Sequence, residues 1–266
     1  MLGNKLREWL AHPLTHNIDI DAPQTTHLRR QIIQQKAPLH AIYDEWYLAI
    51  SSRLPKKDGR ILELGSGAGF MSKYIPSLIT SEVFSCPDIT AVLDGTCLPF
   101  QDHSISAIVM TDVLHHIPNT RLFFEEASRC IKVGGAIIMV EPWYTVWSKF
   151  IYTHFHHEPF LVNVSSWDIP KIGPLSGANG ALPWIILNRD RLKFANEFPQ
   201  WQINEIQLLG GLRYMFSGGV SMRSLLPEVV FRLLKKVDWW QAILPYTAMF
   251  ALIVINKVET SGQNIR

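Results

Sequence analysis

Apolar residues cluster in short runs through the first half of this chain, each run closed by turn-forming residues. Residues 60–64 read as a strand that runs straight into a glycine-rich loop, and 79–84 and 90–93 follow as a second and third strand. Residues 105–111 are almost continuously apolar, the pattern of a strand covered on both faces. Residues 136–140 make a fifth strand. A helix is expected over 68–78, and another between Asn119, a good N-cap, and Gly134-Gly135, a good stop. Strands alternating with helices predict a parallel α/β sheet.

Outside that stretch the rhythm changes. Ile42, Trp46, Leu48 and Ile50 fall in an expected N-terminal helix that ends before Leu54-Pro55. Residues 143–198 are rich in aromatics, Pro, Gly and His without clear periodicity and read as an insertion or lid. Residues 202–209 and 249–257 look like two more strands, an antiparallel pair at the sheet edge. Between them Val230, Leu233, Leu234 and Val237 recur at helical spacing. The expectation is one domain over 1–266: a helical segment to 54, a core at 55–142, the lid at 143–198, C-terminal strands and helix at 199–258, and a tail.

Composition narrows the function classes. Of 266 residues 47% are hydrophobic, enough for a substantial core, and the net charge of +2 gives no support to a nucleic-acid partner. Cys86, Cys97 and Cys130 are scattered, which fits a reducing compartment and disfavours a disulfide scaffold or a cysteine zinc site. The N-terminus lacks the apolar run of a secretory signal, and 248–255 is too short to span a bilayer, so a cytoplasmic location is expected. Arg232, Lys235 and Lys236 beside Trp239 and Trp240 leave peripheral membrane contact open.

The chemistry starts at Glu63-Leu64-Gly65-Ser66-Gly67-Ala68-Gly69. Glycines let a backbone turn sharply and approach a ligand, and ligands of open α/β sheets bind beyond the carboxyl ends of strands. Phe70 stands where a dinucleotide fingerprint needs its last glycine, and the Lys-Ser/Thr of a phosphate loop is missing.

Over residues 60–142 the chain resembles the class I S-adenosylmethionine-dependent methyltransferases. The glycine loop is similar to the family's first motif, Asp94 to Phe100 to the loop after its third strand, Thr111 to Ile117 to the end of its fourth, and Leu122 to Gly135 to the helix and turn before its fifth. The resemblance implies a doubly wound, mostly parallel seven-stranded sheet and S-adenosylmethionine as cofactor. It places Glu63, Gly65, Ser66, Gly67 and Gly69 along the cofactor, Asp94 with Gly95 and Thr96 at the adenine, and Thr111 and Asp112 at the methionine end. An acidic residue after the second strand should take the ribose hydroxyls: Glu82 is the first choice and Asp88 the second, because the usual helix between strands two and three is missing.

Methyl transfer needs a general base only if the acceptor must lose a proton. His116 and His115, next to the expected methyl position, are the leading candidates, with His156 of the lid cluster behind them. Within that cluster His154, His157 and Glu158 would share a helix face, but the spacing is not that of a helical zinc motif and no metal is expected. Glu141, Pro142, Trp143 and Tyr144 should border the substrate, and Tyr43 and Trp46 should cover the cofactor's methionine end. The acceptor is expected to be a small or lipid-like molecule methylated at oxygen. A non-catalytic module on the same fold and a nicotinamide oxidoreductase are the competing readings, and oligomeric state is left open.

Overall fold

The computed structural model describes residues 11–15, 19, 21–56, 58–156, 158–170, 173, 176–227, 230, 231, 233 and 245–259. Its centre is a seven-stranded sheet made of β1 (Arg60–Leu64), β2 (Leu78–Glu82), β3 (Ala91–Val92), β4 (Ile105–Thr111), β5 (Ile131–Pro142), β6 (Trp201–Leu209) and β7 (Phe250–Lys257), in the order β3-β2-β1-β4-β5-β7-β6. The first five strands run parallel, and β7 enters antiparallel between β5 and β6. The chain leaves β1 in one direction to build β2 and β3, then returns to β1's other side for β4. That reversal opens a crevice above the carboxyl ends of β1 and β4.

The strands form where the sequence can be buried from both sides. Six consecutive residues of β4 are buried, as are residues 250–255 of β7. Helices α1 (Pro23–Gln35) and α2 (Ala37–Ser51) cover part of the sheet, with α2 packing on β5 and β7. Leu39, Ile42, Trp46 and Ile50 recur at helical spacing on α2 and are all buried. Each such fully buried side chain contributes roughly 1.5–3 kcal/mol relative to exposure. Helix α3 (Thr120–Cys130) packs on β5, and Asn119 Oδ1 accepts from Leu122 N, 3.1 Å, as its cap.

Three expectations need correction. No α-helix follows the glycine loop: a single 3-10 turn, Met71–Lys73, leads to β2. Phe70 lies outside helical dihedrals (φ −145°, ψ 31°) and packs its ring on Tyr47 and on His40, so α2 fills the volume such a helix would take. Gly134-Gly135 does not stop a helix either. Helix α3 ends at Cys130, and both glycines lie within β5, beside a register shift against β4. A Cβ on Gly135 would come 2.5 Å from Ser106 O, so glycine here permits close strand approach.

The expected lid is not irregular throughout. It contains α4 (Val146–Phe155), started by a Thr145/Ser148 capping box, then a short α5 (Leu182–Trp184) that passes through a π turn (Ile185–Arg189) toward α6 (Arg191–Glu197). A further short helix, α7 (Leu212–Ser217), packs on α2. Of the basic, tryptophan-bearing segment, Arg232, Lys235, Lys236, Trp239 and Trp240 lie outside the described residues, as does His157. Among the described residues no helix is long and apolar enough to cross a membrane.

Candidate active site

A cavity of about 720 Å³ opens at the β1/β4 reversal. Its floor is the turn after β1. Gly65 adopts φ +69°, and a Cβ there would lie 2.3 Å from Val113 Cγ2, so this position demands glycine on both counts. Ser66 stitches the loop to β2: its N–H donates to Ser81 O (2.8 Å) and its hydroxyl accepts from Ser81 N–H (3.0 Å). Gly67 N–H donates to Glu82 Oε2, 3.2 Å.

Several of the expected residues line this cavity: Glu63, Gly65, Gly69, Glu82, Asp94, Gly95, Thr111 and Asp112. Ser66, Gly67 and Thr96 support it from behind. Thr96 donates to Asp94 Oδ1 through its backbone N–H (2.8 Å) and its hydroxyl (2.7 Å). The two ribose candidates part here. Glu82 is buried at the cavity wall, whereas the Asp88 side chain is 75% exposed and paired with Arg30.

The electrostatics describe a site shaped for a cation. Glu63 is pushed up to about 7 by burial, resisted by Ser66 and reinforced by the nearby Glu82 carboxylate. Asp112 is likewise raised to about 7, by burial first. It adopts φ +58° in the turn after β4. Glu82 is raised by burial, an effect opposed by the N–H groups of Val83 and Gly67. Thr111 Oγ1 is buried without a hydrogen-bond partner. Buried carboxylates and an orphaned hydroxyl facing one cavity are the donor set expected for a polar, positively charged ligand.

Beyond Asp112 the chain makes a 3-10 turn, Leu114–His116, that places both histidines of the motif at the cavity wall. Glu141, wholly buried at the end of β5, organises that turn. Its Oε1 accepts from Val113 N–H (2.8 Å) and Leu114 N–H (2.7 Å), and Oε2 pairs with His115 Nδ1 (2.7 Å). On the other side of the ring His115 Nε2 lies 3.4 Å from Glu158 Oε2. Burial alone would lower the His115 pKa, but the bonds to Glu141 and Glu158 outweigh it and hold the value at about 10. His116 is the opposite case. Burial and the neighbouring His115 charge depress it to about 3, so it is a neutral ring. Its Nδ1 is 3.2 Å from Gly177 O, and its Nε2 is 3.7 Å from Glu158 Oε1.

Sequence reasoning did not see how Glu158 reaches this point. Asn179 clamps the Leu161 backbone through both ends of its amide (2.9 and 3.0 Å), while Asn179 N–H donates to His115 O (3.0 Å). The lid segment carrying Glu158 is thereby fixed against the histidine turn. His156 Nδ1 accepts from Glu158 N–H, 3.3 Å, and lines the cavity. His154 is directed elsewhere, with Nδ1 2.8 Å from Phe150 O.

The expected aromatic cover is shared differently. Tyr43 and Tyr47 line the cavity, while Trp46 packs in the core against Tyr214 and Phe250. Thr26 and Arg29 of α1, which no motif marks, complete the wall. Pro142 borders it, whereas Trp143 is buried and Tyr144 packs on Trp184. A second cavity of about 790 Å³ adjoins the first and shares Arg29, Tyr152, His156, Tyr214 and Val220 with it. Trp147, Phe150, Ile151, Phe155 and Met249 make it mainly apolar.

Residues 62–139 match the family of methyltransferase domains. No curated protein matches the sequence. In structure the chain is similar to geranyl diphosphate C-methyltransferase from Streptomyces coelicolor A3(2), with a TM-score of 0.51 at 14% identity over 86% of this chain and 84% of that one. It is similar also to a geranyl diphosphate methyltransferase solved with S-adenosylmethionine, with a TM-score of 0.51 at 13% identity over 92% and 94%. Identities this low speak to the fold. Residues 62–139 thus carry the match to a methyltransferase domain, and the fold around them is one that these methyltransferase structures share.

Proposed function

We propose that this protein transfers the methyl group of S-adenosylmethionine to an oxygen of a small molecule with an apolar body. The observation that carries the reading is the His115–His116–Glu158 cluster on the wall of the first cavity, beside His156, which accepts from Glu158 N–H and lines both that cavity and the apolar one. When bound, the cofactor supplies a methyl group already activated on a sulfonium sulfur.

The chain's own residues do the rest. Glu82 accepts from the ribose hydroxyls, held in place by the N–H groups of Gly67 and Val83. Asp94, pinned by Thr96 through Oδ1, would accept from the adenine amino group with its other oxygen. Glu63 and Asp112 would be charged against the cofactor's positive charge, whose attraction offsets the burial penalty that raises both. Gly65 and Gly69 let the ligand lie close to the backbone, and Thr111 donates its orphaned hydroxyl nearby. The apolar body of the acceptor occupies the second cavity against Trp147, Phe150 and Ile151.

A hydroxyl acceptor must shed its proton as the methyl arrives. His115 by itself is no base, since carboxylates on both ring nitrogens keep it protonated. His116 Nε2 and Glu158 present the acceptor side of the cluster, and the proton is handled there. Calorimetric titration with S-adenosylhomocysteine, followed by assays of S-adenosylhomocysteine formation with apolar alcohols and phenols, tests the proposal. Saturable binding with turnover on such acceptors is expected, and absence of binding at millimolar ligand would sink it.

A further inference from the structure

The two histidines have a feature that proton handling does not require. Each has one ring nitrogen fixed from outside the cavity: His115 Nδ1 by Glu141 Oε2 at 2.7 Å, and His116 Nδ1 by Gly177 O at 3.2 Å. Those contacts orient both Nε2 atoms toward the same carboxylate, Glu158, at 3.4 and 3.7 Å. All three ligand atoms lie within 4.8 Å of one another, at the wall of the cofactor cavity. Histidines that bind metals almost always have the far ring nitrogen hydrogen-bonded to a carboxylate or a backbone carbonyl, and here one of each is present. With metal–nitrogen bonds of about 2.1 Å, the ligand atoms of a tetrahedral site stand about 3.4 Å apart. The two His–Glu158 separations, 3.4 and 3.7 Å, lie close to that edge, and closure around an ion asks only small side-chain adjustments within the 4.8 Å cluster.

We infer that His115 Nε2, His116 Nε2 and Glu158 bind one divalent transition-metal ion of the zinc class, leaving an open position toward the acceptor. Two imidazoles and one carboxylate suit zinc or its first-row neighbours and disfavour magnesium and calcium, which prefer all-oxygen ligands. The ion displaces to solvent the proton that His115 otherwise shares with Glu158. Three protein ligands with an open fourth position are the arrangement in which zinc lowers the pKa of a bound hydroxyl. The acceptor hydroxyl coordinates there, releases its proton to solvent and presents an alkoxide or phenolate oxygen to the methyl group. This inference rests on the proposed function, replaces direct proton transfer to His116 or Glu158 with loss to solvent when the ion is bound, and narrows the acceptors to molecules whose reacting oxygen can reach a metal.

Cobalt(II) is the probe. Tag-free protein is stripped with a chelator and titrated with cobalt(II), following the visible d–d bands, while S-adenosylhomocysteine binding is measured calorimetrically on the same preparation. One equivalent of cobalt is expected in wild type and in His154→Ala. None is expected at the same concentration in His116→Ala or Glu158→Gln, and Glu141→Gln should bind about 10–100-fold more weakly. X-ray absorption of the wild-type cobalt protein should count two imidazoles, a readout that does not depend on any variant folding. Absent bands, bands that persist in both ligand variants, or fewer than two imidazoles would overturn the metal site. Cobalt binding without S-adenosylhomocysteine binding would instead remove the methyltransferase reading and leave the ion standing.

Discussion

Glu63 gives the sharpest test of the site's electrostatics. Its carboxyl is 3% exposed and sits next to Glu82, and burial lifts it from the ordinary 4.5 to about 7. The folded protein therefore holds a proton that the unfolded chain has released. At about 1.36 kcal/mol per pH unit, that gap corresponds to roughly 3 kcal/mol. The sign follows from the direction of the shift. The stabilising contribution is full below about 4.5 and is lost as pH rises through about 7. Glu63→Gln removes the titration but keeps the shape. Urea unfolding of both proteins, free of cofactor, from pH 5 to 8 gives the difference directly. The variant should gain on wild type by roughly 2.5 kcal/mol across that window, with an unchanged m-value. S-adenosylhomocysteine keeps the positive ammonium, so in wild type its affinity should rise with pH over the same range, and less so in the variant. A difference in stability that is flat with pH, or that grows toward acid, would refute the reasoning.

Four further outcomes follow from the geometry. Glu82→Gln should weaken S-adenosylhomocysteine by roughly 10-fold, the value of one charge-assisted hydrogen bond, whereas Asp88→Ala should stay within about 2-fold by calorimetry. Gly65→Ala must place a Cβ at positive φ against Val113, so thermal melts should show a loss of about 1–3 kcal/mol, with cofactor binding abolished. Ile151→Trp, which fills the apolar cavity alone, should raise the acceptor KM by about 10-fold or more and leave S-adenosylhomocysteine affinity unchanged. Glu158→Gln should lower kcat by about 100–10,000-fold without altering that affinity, since Glu158 handles the acceptor rather than the cofactor.

The glycine loop, the Asn119 cap and β4 are each specified by a few adjacent residues, and all three appear where the chain alone predicts them. The same holds for Glu63, on the strand that runs into the loop, whereas Glu82 closes β2 two residues before the expected end of that strand. Other features depend on what packs against them. The helix expected after Gly69 does not form, since α2 supplies the aromatic rings that occupy its place. The glycine pair at 134–135 serves strand approach instead of helix termination, a distinction set by Ser106 on the neighbouring strand.

The histidines show the division most clearly. That His115 and His116 follow the fourth strand is legible from the chain, and the structure puts both on the wall of the cavity at the β1/β4 crevice. Their protonation is not. His115 is cationic because Glu141 from β5 and Glu158 from the lid flank its ring, and His116 is neutral because it lies buried beside that charge. Two chemically identical neighbours thus acquire opposite states from burial and from partners distant in sequence. Local sequence fixes backbone conformation over a few residues, so the glycine loop could be read directly. Protonation and metal affinity depend on distances between segments far apart in the chain, and only the folded sheet, with Asn179 clamping the lid, sets those distances.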